Sequence, residues 1–191
     1  MNQKNLLEVD WSKIPAPTDD GGAAHLKGMK IPPVSLRATT DTVVDLSQLA
    51  GRTVVFAYPR TGEPGKVALV DDWDMIPGAR GCTPQTCSFR DLFAELKAAG
   101  AKHVFGLSTQ SNAYQAEMAA RLHLPFPVLS DEKLTLTEAL QLPTMEVAGL
   151  TLIKRLALIV DDGLITHVFS PVFPPDRNAG DVLAWLKENP V

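Results

Sequence analysis

The sequence has no apolar run approaching the roughly 18–20 residues that span a bilayer; its most hydrophobic stretch, Leu156 to Val160, is only strand-sized. No membrane role is expected. Cysteine is scarce, two residues in 191, which excludes a disulfide scaffold. Positive charge is not in excess either: 18 Lys and Arg stand against 22 Asp and Glu, a net charge of −4. Without a basic stripe to neutralise phosphates, nucleic acid is not an expected partner. Near the N-terminus, Met1 to Leu7 offers one lysine and only the pair Leu6-Leu7 where a signal peptide needs an apolar core, so a cytoplasmic protein is expected. What is present, 45% hydrophobic and 21% charged residues with 13 Gly and 15 Pro, excludes disordered, collagenous and coiled-coil classes and suits one ordinary domain with an extra arm.

The arm is residues 1–22. Ile14-Pro15-Ala16-Pro17 cannot hold a regular helix and Asp19-Asp20-Gly21-Gly22 reads as a turn. Its Leu6, Leu7, Val9 and Trp11 could pack on their own domain or on a partner chain. Residues 23–191 read as one domain. Val34-Ser35-Leu36 and Val43-Val44-Asp45 suggest a hairpin, and Thr53 to Tyr58 a buried strand stopped by Pro59. Phe89, Leu92, Phe93 and Leu96 carry the helical period through Pro84 to Ala99, with Gly100 placed to end it. Then come a strand at His103 to Leu107, a helix capped by Ser111-Asn112, a short strand at Phe126 to Leu129 and a short helix at Leu134 to Leu140. Arg155 to Val160 and Leu164 to Phe169 flank Asp161-Asp162-Gly163, a strong hairpin signal, before a last helix from about Ala179. This order predicts an α/β domain of thioredoxin-like arrangement, a mixed central sheet with helices on both faces. The stretch 62–81 falls outside the scheme; a loop of that length inside a domain is usually functional or mobile.

The two cysteines lie together in Gly81-Cys82-Thr83-Pro84-Gln85-Thr86-Cys87. Pro84, with no amide hydrogen, is expected at the first helical position and Thr83 at the N-cap. Cys82 would then feel unpaired N–H groups and the positive end of the helix dipole, which favour the thiolate; it is the candidate nucleophile. On a continuous helix, residues five apart hold their Cα atoms ~8.6 Å apart, beyond the roughly 4.4–6.8 Å of a disulfide. Closing Cys82 onto Cys87 therefore requires the first turn to unwind, which Pro84 is expected to ease by removing one hydrogen bond and by biasing Thr83 away from helix. The plainer alternative is two buried cysteines acting as small hydrophobes. A metal site is weaker, since C-x4-C supplies two of the four ligands of a structural zinc and His103, His123 and His167 read as ordinary histidines. Asp71, Asp72 and Asp74 around Trp73 read as a solvated acidic loop.

At these residues the sequence resembles peroxiredoxins of the bacterioferritin-comigratory (Q) subfamily. Gly81-Cys82-Thr83-Pro84-Gln85-Thr86-Cys87-Ser88-Phe89-Arg90-Asp91 is similar to that subfamily's G-C-T-x-Q-x-C-x-x-R-D. Phe56-Ala57-Tyr58-Pro59, Pro127-Val128-Leu129-Ser130-Asp131 and the strand following Lys154-Arg155 extend the likeness from about Leu26 to Trp185. The resemblance implies reduction of hydrogen peroxide and small organic hydroperoxides, with thioredoxin or a similar dithiol as electron donor and no cofactor or metal. It implies Cys82 as the peroxidatic cysteine, Cys87 as the resolving one, and Arg155 as the cation that stabilises thiolate and leaving oxygen. The subfamily's P-x-x-x-T/S-x-x-C is split, with Met75 and Ala79 where it has Pro and Thr or Ser. Pro59 is expected still to shield the pocket and Thr61 to swing in with the peroxide-orienting hydroxyl, Thr83 being the poorer substitute. Two thiols in one chain suit a monomer or weak homodimer. The rival readings are a non-catalytic redox sensor switched by the same pair, and a disulfide oxidoreductase of the same fold, which ordinarily needs a C-x-x-C that is absent.

Overall fold

In the computed structural model, which describes residues 9–191, the domain begins with a hairpin of β1 (Ser35–Ala38) and β2 (Val43–Asp45) and continues into β3 (Arg52–Ala57). After the long connection come α1 (Cys82–Asp91), α2 (Phe93–Ala98), β4 (His103–Ser108), α3 (Asn112–Arg121), β5 (Val128–Ser130) and α4 (Thr135–Leu140). Two hairpins, β6 (Thr144–Val147) with β7 (Leu150–Ile153) and β8 (Leu156–Asp161) with β9 (Leu164–Phe169), precede α5 (Asn178–Glu188). The main sheet has the order β2-β1-β5-β4-β3-β8-β9. It is parallel from β5 through β4 to β3 and antiparallel on either side.

Every residue of β3 is buried, so its side chains divide by the two-residue period between two cores. Val55 and Ala57 join Leu107, Leu129 and Leu158 on one face, where Leu136 and Leu140 of α4 and the segment around Leu26 cover them. Val54 and Phe56 join Val104, Val128 and Ile159 on the other, under Phe89 of α1, Leu96 of α2, Met118 of α3 and Val182 and Leu186 of α5. The expected α/β sheet covered on both faces is thus what forms. Phe56 and Phe89, both fully buried, stack with ring centroids 4.1 Å apart and planes 5° from parallel, which pins the second half of α1 to the sheet. Asp131 caps α4 by accepting from the amides of Leu136 and Thr137 at 3.1 and 2.7 Å.

Three local expectations are corrected. The helix begins at Cys82, and its N-cap is Gly81, not Thr83; Gly81 holds φ 105°, a left-handed turn into the helix that a Cβ would strain. Pro84 is therefore third in the helix and inside the first turn, where an amide has no intrahelical acceptor, so it forfeits no hydrogen bond. The helix does not run unbroken to Ala99: Leu92, at φ −100° and ψ 12°, separates α1 from α2. The hairpin β6–β7 turns on Ala148 and Gly149, both left-handed, and alanine there carries none of the Asn or Asp signal of such turns.

Segment 62–81 makes a 3-10 turn at Trp73–Met75 and a small core of its own, in which Trp73 and Ala79 pack with Val147 and Leu152 of the β6–β7 hairpin. Among the described residues no helix is long and apolar enough to cross a membrane. Leu6 and Leu7, expected to pack as part of the arm, lie outside the described residues; Trp11 meets Phe173 of its own chain edge-on, ring centroids 6.0 Å apart.

Candidate active site

Cys82 is the first residue of α1 and 3% exposed. Its own amide and that of Thr83 are among the first-turn donors that the helix leaves without carbonyl partners; the first bond of the turn runs from Gln85 N to Gly81 O, 3.0 Å. Beside the sulfur stands Arg155, immediately before β8 and equally buried. Its Nη2 donates to Cys82 Sγ at 3.2 Å and to the carbonyls of Gly78, Ala79 and Arg80 at 3.1, 3.3 and 3.1 Å. The loop before the helix curls around the cation, with Gly78 and Gly81 both at positive φ. The Cys82 thiol in turn donates to Ala79 O at 3.5 Å.

Two residues not expected at the site complete this network. Arg155 Nη1 donates to Gln85 Oε1 at 2.5 Å, and Gln85 Nε2 donates to Asn178 Oδ1 at 2.9 Å, all three side chains being buried. Gln85 lies three residues after Cys82, a spacing that puts both on one side of a helix, so its place was legible in principle. Asn178 arrives from α5 with no local signal. Arg155 Nε is buried without a hydrogen-bond partner among the described residues, and a cavity of about 110 Å³ opens beside the residue, lined by Pro17, Asp20, Pro77, Gly78, Met145 and Lys154 among others.

A thiolate and a guanidinium 3.2 Å apart attract by ~5 kcal/mol at an effective dielectric near 20. The helix terminus supplies about 0.3–2 kcal/mol. Of the two attractions, each taken before the cost of desolvation, that of Arg155 is the larger. Tyr58, buried behind it, has its phenol pushed well above the usual value, first by burial and then by the charge of Cys82; its hydroxyl donates to Gln115 Oε1 at 2.8 Å.

Cys87, one and a half turns on, is buried in the core beneath α1, and both cysteines are free. Burial pushes its thiol above the ordinary value, the Arg90 guanidinium pulling the other way. Pro59 is buried at the end of β3, its carbonyl accepting from Ser108 Oγ at 3.2 Å. Thr61 is buried with its hydroxyl and its amide both donating to Gln110 Oε1, at 3.1 and 2.8 Å. The site thus gathers Cys82, Arg155 and, on the same helix, Cys87, while the Thr61 hydroxyl is engaged with Gln110. Asp74 of the acidic loop faces Arg80 at 3.7 Å.

The sequence profile of the Redoxin family matches residues 26–183. Peroxiredoxin Bcp of Escherichia coli (strain K12) is 32% identical over 163 residues, 83% of this chain and 93% of that protein. Chloroplastic peroxiredoxin Q of Oryza sativa subsp. japonica is 31% identical over 163 residues, and the match spans 84% of this chain but 66% of the rice protein. Among solved structures, peroxidoxin BcpB from Mycobacterium tuberculosis superposes with a TM-score of 0.70 at 28% identity, over 87% of this chain and 100% of that one.

Proposed function

Because the chain belongs to the redoxin family, in its peroxiredoxin Q/Bcp group, we propose that it is a thiol-dependent peroxidase acting on hydrogen peroxide and small organic hydroperoxides. The observation that carries this reading is the Arg155 guanidinium 3.2 Å from a helix-terminal Cys82 Sγ, with a second free thiol on the same helix. The Cys82 thiolate attacks the terminal oxygen of ROOH; the S–O bond forms as the O–O bond breaks, giving the sulfenic acid and RO⁻, which takes a proton and leaves as water or alcohol. Arg155 stabilises negative charge first on sulfur and then on the departing oxygen.

Oxidation then loosens the helix start. A sulfenic acid is neutral, so Arg155 loses its ionic partner. The turn closed by Gln85 N to Gly81 O, and by Thr86 Oγ1 donating to Cys82 O at 2.9 Å, can open. Cys87 attacks the sulfenic sulfur, water leaves, and an intrachain disulfide forms; a dithiol such as thioredoxin reduces it by exchange. Pro59 keeps the pocket closed to water, and Thr61, on releasing Gln110, supplies the orienting hydroxyl. The cycle needs one chain, so we take the working form as a monomer or weak homodimer, in the reducing cytoplasm where both thiols can be regenerated.

The test is steady-state consumption of peroxide with a thioredoxin system as donor. Turnover of many equivalents per chain, lost in Cys82→Ser and in Cys87→Ser, is expected. Oxidation that stops after one equivalent would mark a redox sensor, and reduction of protein disulfides without peroxide use would mark an oxidoreductase.

A further inference from the structure

Building on the peroxidase reading, we infer that residues 11–20 of the N-terminal arm are a strap over the segment that must unwind, and that Trp11 is a positioning residue which sets the rate of disulfide formation. Three contacts lay the arm along the active-site loop. Lys154, next to Arg155, pairs with Asp20 at 2.5 Å. A Cβ built on Gly78 would lie 3.5 Å from Pro17 Cβ, and one built on Gly81 only 2.7 Å from Trp11 Cη2 and 2.6 Å from Pro175 Cγ. The space where a side chain on Gly81 would stand is therefore filled by the indole and a proline together. The indole is itself held, its Nε1 donating to Asp176 Oδ2 at 2.9 Å and its edge packed on Phe173.

The residues under the strap, 78–81, are those whose carbonyls ring Arg155 and whose last member caps α1. The far half of α1 is fixed by Phe89 stacked on Phe56, so the movement that brings the sulfurs together falls on the first turn, and Gly81 is its hinge. In the reduced protein Arg155 holds Cys82 at 3.2 Å without the strap; the strap acts afterwards, delaying the departure of the oxidised residue from the pocket. A longer-lived sulfenic acid is more open to a second peroxide, which would carry it to sulfinic acid. Trp11 is only half-buried, so the strap can lift. It also lies outside the segment that matches the family profile, 26–183.

The experiment mixes the reduced full-length chain with one equivalent of hydrogen peroxide, quenches with acid at intervals, alkylates, and follows sulfenic acid and disulfide separately by mass. Trp11→Ala is expected to leave the rate of Cys82 oxidation at the wild-type value and to speed disulfide formation about tenfold, equivalent to ~1.4 kcal/mol less restraint on opening. It should also lower the yield of sulfinic acid under excess peroxide. Trp11→Phe, which keeps a ring over Gly81, should fall between the two, and Asp176→Ala, which removes only the hydrogen bond, should move in the same direction as Trp11→Ala. An unchanged rate of disulfide formation in both Trp11→Ala and Asp176→Ala would overturn the strap, as would a loss in Cys82 oxidation equal to any change in the second step. If wild type takes up the oxidant yet never joins its two sulfurs, the peroxidase cycle itself is wrong and the strap falls with it.

Discussion

The guanidinium of Arg155 touches the Cys82 sulfur through the same nitrogen, Nη2, that gathers the carbonyls of Gly78, Ala79 and Arg80. One cation thus holds the Cys82 sulfur and shapes the loop leading to it. Since its attraction exceeds that of the helix terminus, substitutions at Arg155 should outweigh those that alter only the capping of the helix start.

Arg155→Met, which keeps length and removes charge, should slow oxidation of Cys82 by hydrogen peroxide by about 10²–10³-fold, the usual effect of losing one preorganised charge-stabilising donor. Stopped-flow mixing with peroxide measures it directly. A rate within a factor of a few of wild type would remove Arg155 from the mechanism.

Gln85→Leu should act through Arg155. It removes the acceptor of Nη1 and leaves Asn178 Oδ1 without its donor, so the guanidinium loses its lateral hold. A roughly tenfold slower oxidation is expected, equivalent to about 1.4 kcal/mol, near the net worth of one charged hydrogen bond. The double variant with Arg155→Met should be no slower than Arg155→Met alone, because both act on one interaction; additive losses would contradict the linkage.

Cys87 gives the second step a pH dependence. Its thiol is raised by burial in the closed helix, so the closed form holds the proton more tightly than the opened one. Below the ordinary thiol value, about 8.5, both forms are protonated and the closed form keeps its full advantage. As pH rises through that value the opened form loses its proton first, and the advantage disappears as pH reaches the raised value of the closed form. Disulfide formation should therefore accelerate above about pH 8.5, by at most about tenfold per pH unit for one proton. Quenched-flow profiles of the second step check this; a flat or falling profile would count against it.

Phe89→Ala should cost about 3–5 kcal/mol of stability, the range for emptying a fully buried aromatic site, because it removes the ring stacked on Phe56. Denaturant melts measure the loss. A cost below about 1 kcal/mol would mean that α1 is not anchored there.

Much of the fold was legible because its strongest elements announce themselves locally. The β-branched run before Phe56 could only be a buried strand, and Asp162-Gly163 names its own turn, with φ of 48° and 78°. The cysteine pair was legible for the same reason, both residues lying within one turn-and-helix phrase. What sequence reasoning missed depends on distant packing. Ala148-Gly149 adopts the same turn as Asp162-Gly163 without its chemical signature, and segment 62–81 is ordered by Trp73 meeting Val147 and Leu152, which no local pattern shows. Placing Thr83 at the cap followed from reading Pro84 as the first helical residue, whereas Gly81, able to take φ 105°, starts the helix two residues earlier. Asn178 reaches Gln85 from α5, across 93 residues of chain, and only the folded domain reveals that contact.

The most direct trial of the whole account treats reduced protein with one equivalent of hydrogen peroxide and maps the sulfurs by peptide mass. A cross-link between the peptides carrying Cys82 and Cys87, with the mass of the chain lowered by two hydrogen atoms, is the predicted result; in Cys87→Ser it is replaced by a sulfenic acid at Cys82 that dimedone captures. Two thiols still free after the peroxide has been offered, or oxidation found at Cys87 and not at Cys82, would contradict it.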